Sequence, residues 1–94
     1  MYLGSYEFDG DRAELLAAYD RLVAAFPPGT LALQVCVARA DGITVFDACP
    51  SAEVFRGFST SADFAGALAH AGLPTPRVTE LGDVHNAVLN EVSE

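Results

Sequence analysis

Asp47 is the residue of this sequence best suited to chemistry, because it is a carboxylate within a largely apolar stretch, Ile43 to Cys49. A carboxyl group among apolar neighbours is either an acid with a raised pKa in a pocket or one partner of a buried polar pair. We interpret Asp47 as a pocket acid. The alternative makes it a structural group whose hydrogen-bond donor is Gln34, Tyr6 or His85.

His85 is the second candidate for proton transfer, because an imidazole pKa near ~6.5 suits a general base. The alternative, which stays open, is a histidine at a strand end that hydrogen-bonds to the backbone. Asp47 and His85 are therefore the predicted catalytic pair, provided that both open into one cavity. His70, near the end of a predicted helix, is interpreted as a favourable partner of the helix dipole.

The remaining predicted site residues are those that would line such a cavity. We expect them to contact a substrate: Tyr6, Gln34, Cys36, Cys49 and Phe58. Both cysteines are predicted to be free thiols, because diagonal strand positions lie about 7–8 Å apart, beyond disulfide reach. The histidine and cysteine spacings match no zinc pattern and there is no glycine-rich phosphate loop, so we expect neither a metal nor a cofactor.

A predicted β-hairpin, Leu31 to Pro50, positions most of these residues. Its arms are apolar and rich in β-branched residues, and an Asp-Gly pair between two such runs is the strongest short-range hairpin signal. A turn at Asp41-Gly42 would place Val37 opposite Phe46.

The same register gives the hairpin two different faces. One face is apolar, and we expect helices to cover it; it holds Leu33, Val35, Val37, Phe46 and Ala48. The other face mixes small, polar and thiol side chains, and we expect it to be bare of helices; it holds Gln34, Cys36, Val45, Asp47 and Cys49. A mixed face of this kind is typical of a cavity lining or of an interface between two sheets.

The rest of the chain supplies a first strand, two helical regions and a last strand. Alternation predicts a strand over Tyr2 to Phe8, and a 3.6-residue stripe predicts a helix over Arg12 to Phe26, stopped at Pro27-Pro28-Gly29. A second helical region opens at Ser51 and is broken near Ser59. The segment Arg77 to Glu94 is predicted to contain a strand around Val84 to Leu89; a short helix capped by Asp83 is the alternative.

Composition limits the class of protein. The 94 residues suffice for one domain, 1–94, and the formal net charge is −8, with every cation a scattered arginine. Nucleic acid and anionic membranes both need a basic patch, so neither is an expected partner. The hydrophobic content of 51% is high for a small monomer and indicates a homodimer. No signal peptide or bilayer-spanning run is visible, so we expect a cytoplasmic protein.

The element order β-α-β-β-α-β predicts an α+β, ferredoxin-like fold: a four-stranded antiparallel sheet with helices on one face. The most characteristic stretch is a broken second helix after the third strand, which runs from Ser51 to Pro76 and reads S-A-E-V-F-R-G-F-S-T-S-A-D-F-A-G-A-L-A-H-A-G-L-P-T-P. Together these features resemble the dimeric α+β barrel superfamily, in its antibiotic-biosynthesis-monooxygenase-like branch. The resemblance implies a homodimer with a cavity between sheet and helices in each subunit. Family members include cofactor-free oxygenases, haem-degrading enzymes, lactone isomerases and polyketide cyclases.

Two classes of function follow. The first is a cofactor-independent monooxygenase, cyclase or isomerase of secondary metabolism, binding a small apolar or aromatic molecule, with Asp47 and His85 transferring protons. The second is a non-catalytic dimeric accessory or binding protein in which the same residues only satisfy one another.

Overall fold

A four-stranded antiparallel sheet with three helices makes up the part of the chain that the structure, a computed structural model, describes: residues 1–27 and 32–90. The elements in chain order are β1 (Tyr2–Asp9), α1 (Arg12–Ala25), β2 (Leu33–Arg39), β3 (Gly42–Cys49), α2 (Ala52–Ser59), α3 (Ala62–Ala71) and β4 (Arg77–Asp83). The strand order is β2-β3-β1-β4. This confirms an α+β fold with an antiparallel sheet and is compatible with a ferredoxin-like fold.

Local capping explains where the helices begin and end. Asp11 caps α1, and Ser51 caps α2 by accepting a hydrogen bond from the Val54 amide. The predicted break near Ser59 is confirmed, because Ser61 starts a new helix by accepting from the Phe64 amide. That helix, α3, ends at Gly72, whose φ of 93° is the left-handed conformation that glycine adopts without strain.

The hairpin turn lies one residue earlier than predicted. Ala40 and Asp41 form the turn, and Arg39 pairs with Gly42, so the predicted register is shifted by two residues and is wrong. Gly42 is needed within β3 instead, because a Cβ there would lie 2.1 Å from the carbonyl oxygen of Phe8. The hairpin start at Leu31 and the helix stop at Pro28 and Gly29 lie outside the described residues.

The helices cover the opposite face of the sheet from the one predicted. The predicted bare face, which holds Gln34 and Asp47, packs under the helices. The pairing of β1 with β3 explains this outcome, since it adds Tyr6 and Phe8 to that face. Both aromatic residues are 2% exposed and form the core with side chains of all three helices. Two large rings outweigh the small polar groups beside them.

The predicted apolar face is consequently free of helices. We call it the open face, and its large apolar members are Leu3, Leu33, Val35, Val37 and Phe46. Val35 and Val37 are 44% and 42% exposed.

The last strand lies earlier than predicted. β4 occupies Arg77–Asp83, and the predicted strand at Val84 to Leu89 is wrong, because residues 84–90 have no regular structure. The end of β1 gives the physical reason: Tyr2 pairs with Asp83, and the Val84 amide donates the next hydrogen bond to Met1. The pairing of β1 with β4 ends there. Residues 91–94 lie outside the described part of the chain.

Ion pairs and side-chain hydrogen bonds attach the edge strand β4 to β1 and α2. The Arg77 guanidinium binds the carboxylates of Glu7 and Asp9, while Glu80 accepts hydrogen bonds from Arg56 of α2 and from the Tyr2 hydroxyl.

Among the residues described, no helix is both long and apolar enough to cross a membrane.

Candidate functional site

The candidate site is a small cavity between the sheet and the helices, which we call the sheet–helix cavity. Its volume is about 20 Å³. That is room for about one water molecule, far below the roughly 300 Å³ of a usual ligand pocket. Its walls are mostly aromatic and aliphatic, with four polar side chains: Tyr6, Tyr19, Gln34 and Asp47.

A chain of hydrogen bonds holds the buried acid in this cavity. The Tyr19 hydroxyl donates to Gln34 Oε1 at 2.9 Å, and Gln34 Nε2 donates to Asp47 Oδ1 at 2.9 Å. We call these three residues the polar chain. Because Gln34 lies directly opposite Asp47 on adjacent strands, the sheet register itself brings the amide to the carboxyl group. Gln34 was one of the three donors expected for a structural Asp47.

Burial dominates the electrostatics of the polar chain. Asp47 is 2% exposed, and burial raises the pKa of its carboxyl group, while the Gln34 hydrogen bond acts in the opposite direction. Burial, followed by the nearby Cys36 and Asp47, raises the pKa of Tyr19 to about 12. The phenol of Tyr19 therefore stays protonated and serves as a donor at neutral pH.

Tyr6 lies beside the polar chain without joining it. Its ring packs against Phe55 and Phe64, with centroids 5.6 and 5.1 Å away. No hydrogen bond from the described residues reaches its buried hydroxyl. Burial, followed by the charge of Asp47, raises the pKa of Tyr6.

His85 does not reach the sheet–helix cavity. It is exposed, follows the end of β4, and lines a separate cleft together with Leu3 and Leu81. Leu3 belongs to the open face, so His85 and Asp47 line different cavities. These two cavities do not bring the pair together, so the catalytic pair stays a prediction.

The two cysteines and Phe58 all lie on the helix-covered side. Cys36 is half-buried, Cys49 is buried, and both are free thiols, as predicted. Burial raises the pKa of each thiol, so each is a poor nucleophile at neutral pH. Phe58 lines the cavity and packs on Phe64, with ring centroids 4.6 Å apart.

The sequence analysis did not identify Tyr19 as a site residue, although it lies within the helix predicted over Arg12 to Phe26. The available signal was its hydroxyl, because a buried tyrosine usually finds a hydrogen-bond partner.

Within residues 1–27 and 32–90, no cluster of three potential metal ligands is present.

Comparison with known proteins found no match for this chain among protein-family models, curated proteins or solved structures.

Proposed function

We propose that this chain is a non-catalytic, homodimeric accessory or binding protein with a dimeric α+β barrel architecture, in which two ferredoxin-like subunits pack sheet on sheet. The observation that carries the proposal is the open face, where large apolar side chains of three adjacent strands lie together without helices. Packing of a second sheet about 10 Å away would remove these side chains from water.

Charge supports the same arrangement. The charged side chains on this side of the sheet include Glu7, Asp9, Arg39 and Arg77. They pair with one another: Arg77 with Glu7 and Asp9, and Arg39 with Asp9. An interface between two copies would therefore bury few uncompensated charges, which favours stable association.

The non-catalytic part of the proposal is supported by the polar chain. The Asp47 carboxyl group already has a partner within the subunit, and the candidate base His85 lines another cleft. The enzyme classes implied by the family resemblance stay predictions, because proton transfer between these two groups would need them in one cavity.

Sedimentation tests the proposed dimer. The wild-type chain at micromolar concentration should sediment as a dimer, and Val35→Glu should sediment as a folded monomer, because it places a charge in the open face. Val54→Glu is the matched control: Val54 is 48% exposed on α2, against 44% for Val35, but lies on a helix. A wild-type monomer, or equal behaviour of the two variants, would refute the dimer through this face.

A second candidate function, binding of a small apolar or aromatic molecule, is favoured by the grooves beside the cavity. A groove of about 240 Å³ between α1 and α3 shares Leu22 and Phe26 with the sheet–helix cavity. Another groove, of about 170 Å³, shares Phe64 and Leu68. Displacement of Phe26 would join the first groove to the cavity and give a volume in the range of a ligand pocket.

Protein-observed NMR titration with indole as the probe tests this second function. Phe26→Ala should increase indole binding if the cavity and groove can join, and the enlarged site should show chemical-shift changes at Leu22 and Tyr19. Val23→Ala, an exposed position on α1, is the control and should behave as wild type. If neither wild type nor Phe26→Ala binds indole, the result contradicts the second function and favours a non-catalytic protein without a small-molecule ligand.

A further inference from the structure

We infer that the sheet–helix cavity binds one buried water molecule, which bridges the Tyr6 hydroxyl and the Asp47 carboxyl group. The inference goes beyond the proposed function, because it holds within one subunit and requires neither a dimer nor an organic ligand.

The hydroxyl of Tyr6 is buried without a hydrogen-bond partner from the described residues. The residue as a whole is 2% exposed. A buried hydroxyl without a partner is costly, so folded proteins usually supply a protein group or a bound water. The neighbouring rings of Phe55 and Phe64 cannot provide an oxygen or nitrogen acceptor.

The carboxyl group of Asp47 can accept more than the one hydrogen bond that Gln34 donates. Gln34 Nε2 donates to Oδ1, and the two oxygens of a carboxyl group together offer about four acceptor sites, so the group has capacity for a further donor. Tyr6 and Asp47 both line the cavity, and the carboxyl group is near enough to act electrostatically on the phenol. A single water molecule between them would satisfy both groups.

The sheet–helix cavity matches one water molecule in size and in polar lining. Its volume of about 20 Å³ exceeds the roughly 10–15 Å³ that a water molecule requires. A buried water also needs two to four polar partners, and the hydroxyl, the carboxyl group and the adjacent Gln34 amide meet that condition. A purely apolar cavity of the same size would stay dry.

A high-resolution crystal structure of the wild-type chain tests the inference directly. We expect an ordered density peak within ~2.5–3.2 Å of both the Tyr6 hydroxyl and an Asp47 carboxyl oxygen. An empty cavity overturns the inference, and so does a peak that contacts only one of the two groups. This result is independent of whether the chain is a monomer or a dimer.

Denaturant unfolding of Tyr6→Phe provides a second, independent test. If water satisfies the hydroxyl, its removal loses hydrogen bonds, and the unfolding equilibrium constant should rise about fivefold. If the hydroxyl has no partner, removing it relieves a cost, and the constant should be unchanged or lower, which overturns the inference. Tyr2→Phe is the control for loss of a phenol hydroxyl whose partner, Glu80, is exposed, and it should change the constant less.

Discussion

The two faces of the sheet differ in what covers them, although alternate residues of the same strands form both. On the helix-covered face, Asp47 and Tyr6 are each 2% exposed, and the polar chain holds Asp47. On the open face, Val35 and Val37 keep more than two fifths of their surface exposed. Polarity alone therefore does not decide which face is buried.

The size of the side chains decides it. Tyr6, Phe8 and Ile43 bury large apolar surfaces on the covered face, and this outweighs the cost of enclosing one carboxyl group that has a hydrogen-bond partner. The aliphatic residues of the open face are smaller and more exposed, so they remain available for association between subunits.

The comparison between faces can be tested first by truncation, where we expect the largest effect. Ile43→Ala should lower the free energy of unfolding by about 2–5 kcal/mol, because Ile43 is fully buried on the covered face. Between matched valines, Val35→Ala on the open face should cost less than Val45→Ala on the covered face, where Val45 is 4% exposed against 44% for Val35, in a monomeric background such as one that also carries Val37→Glu. Equal losses in denaturant unfolding would show that the two faces are equally buried.

The covered face can also be tested by adding volume at Gly4. A Cβ at this position would lie 2.0 Å from Cε1 of the Phe55 ring, so Gly4→Ala should overpack the core and cost about 1–3 kcal/mol. Phe55→Leu should rescue part of the loss by making room. Gly66→Ala, where nothing lies within 4 Å of the added Cβ, is the control and should not destabilise through overpacking.

The hairpin sequence predicts its two strands and their faces but not which face the helices cover. The strands of the hairpin and the sets of residues that share each face were predicted, because a register shift of two residues preserves alternation. The choice of covered face could not be read from the hairpin alone. It depends on β1, whose pairing places Tyr6 beside Val45 and Phe8 beside Ile43.

The site was less predictable than the fold for a related reason. Gln34 was an expected partner of Asp47, but the contribution of Tyr19 depends on how α1 docks over β2, which sequence periodicity does not specify. The expected strand at Val84 to Leu89 is wrong because the pairing of β4 with β1 ends at Asp83. The point at which two distant strands stop pairing is not visible in the local alternation of apolar and polar residues.

A smaller effect is expected from the pH dependence of Asp47. Because burial raises its pKa in the folded chain, the native state holds this proton at pH values where the unfolded chain has lost it. The wild-type free energy of unfolding, minus that of Asp47→Asn, should therefore fall as pH rises from about 3.9, and level off above the folded-state pKa. A difference that rises with pH would mean that the fold lowers this pKa and would contradict burial as the dominant effect.

The most direct test of the central claim, that Asp47 is a structural group held by the polar chain, is a double-mutant cycle between Tyr19→Phe and Asp47→Ala. The two side chains are linked only through Gln34 in the described hydrogen bonds, so removing either one should loosen the amide that the other holds. Denaturant unfolding of the two single variants and the double variant should give an interaction energy of about 0.5 kcal/mol or more. Strictly additive losses, or an Asp47→Ala variant as stable as wild type, would contradict the claim.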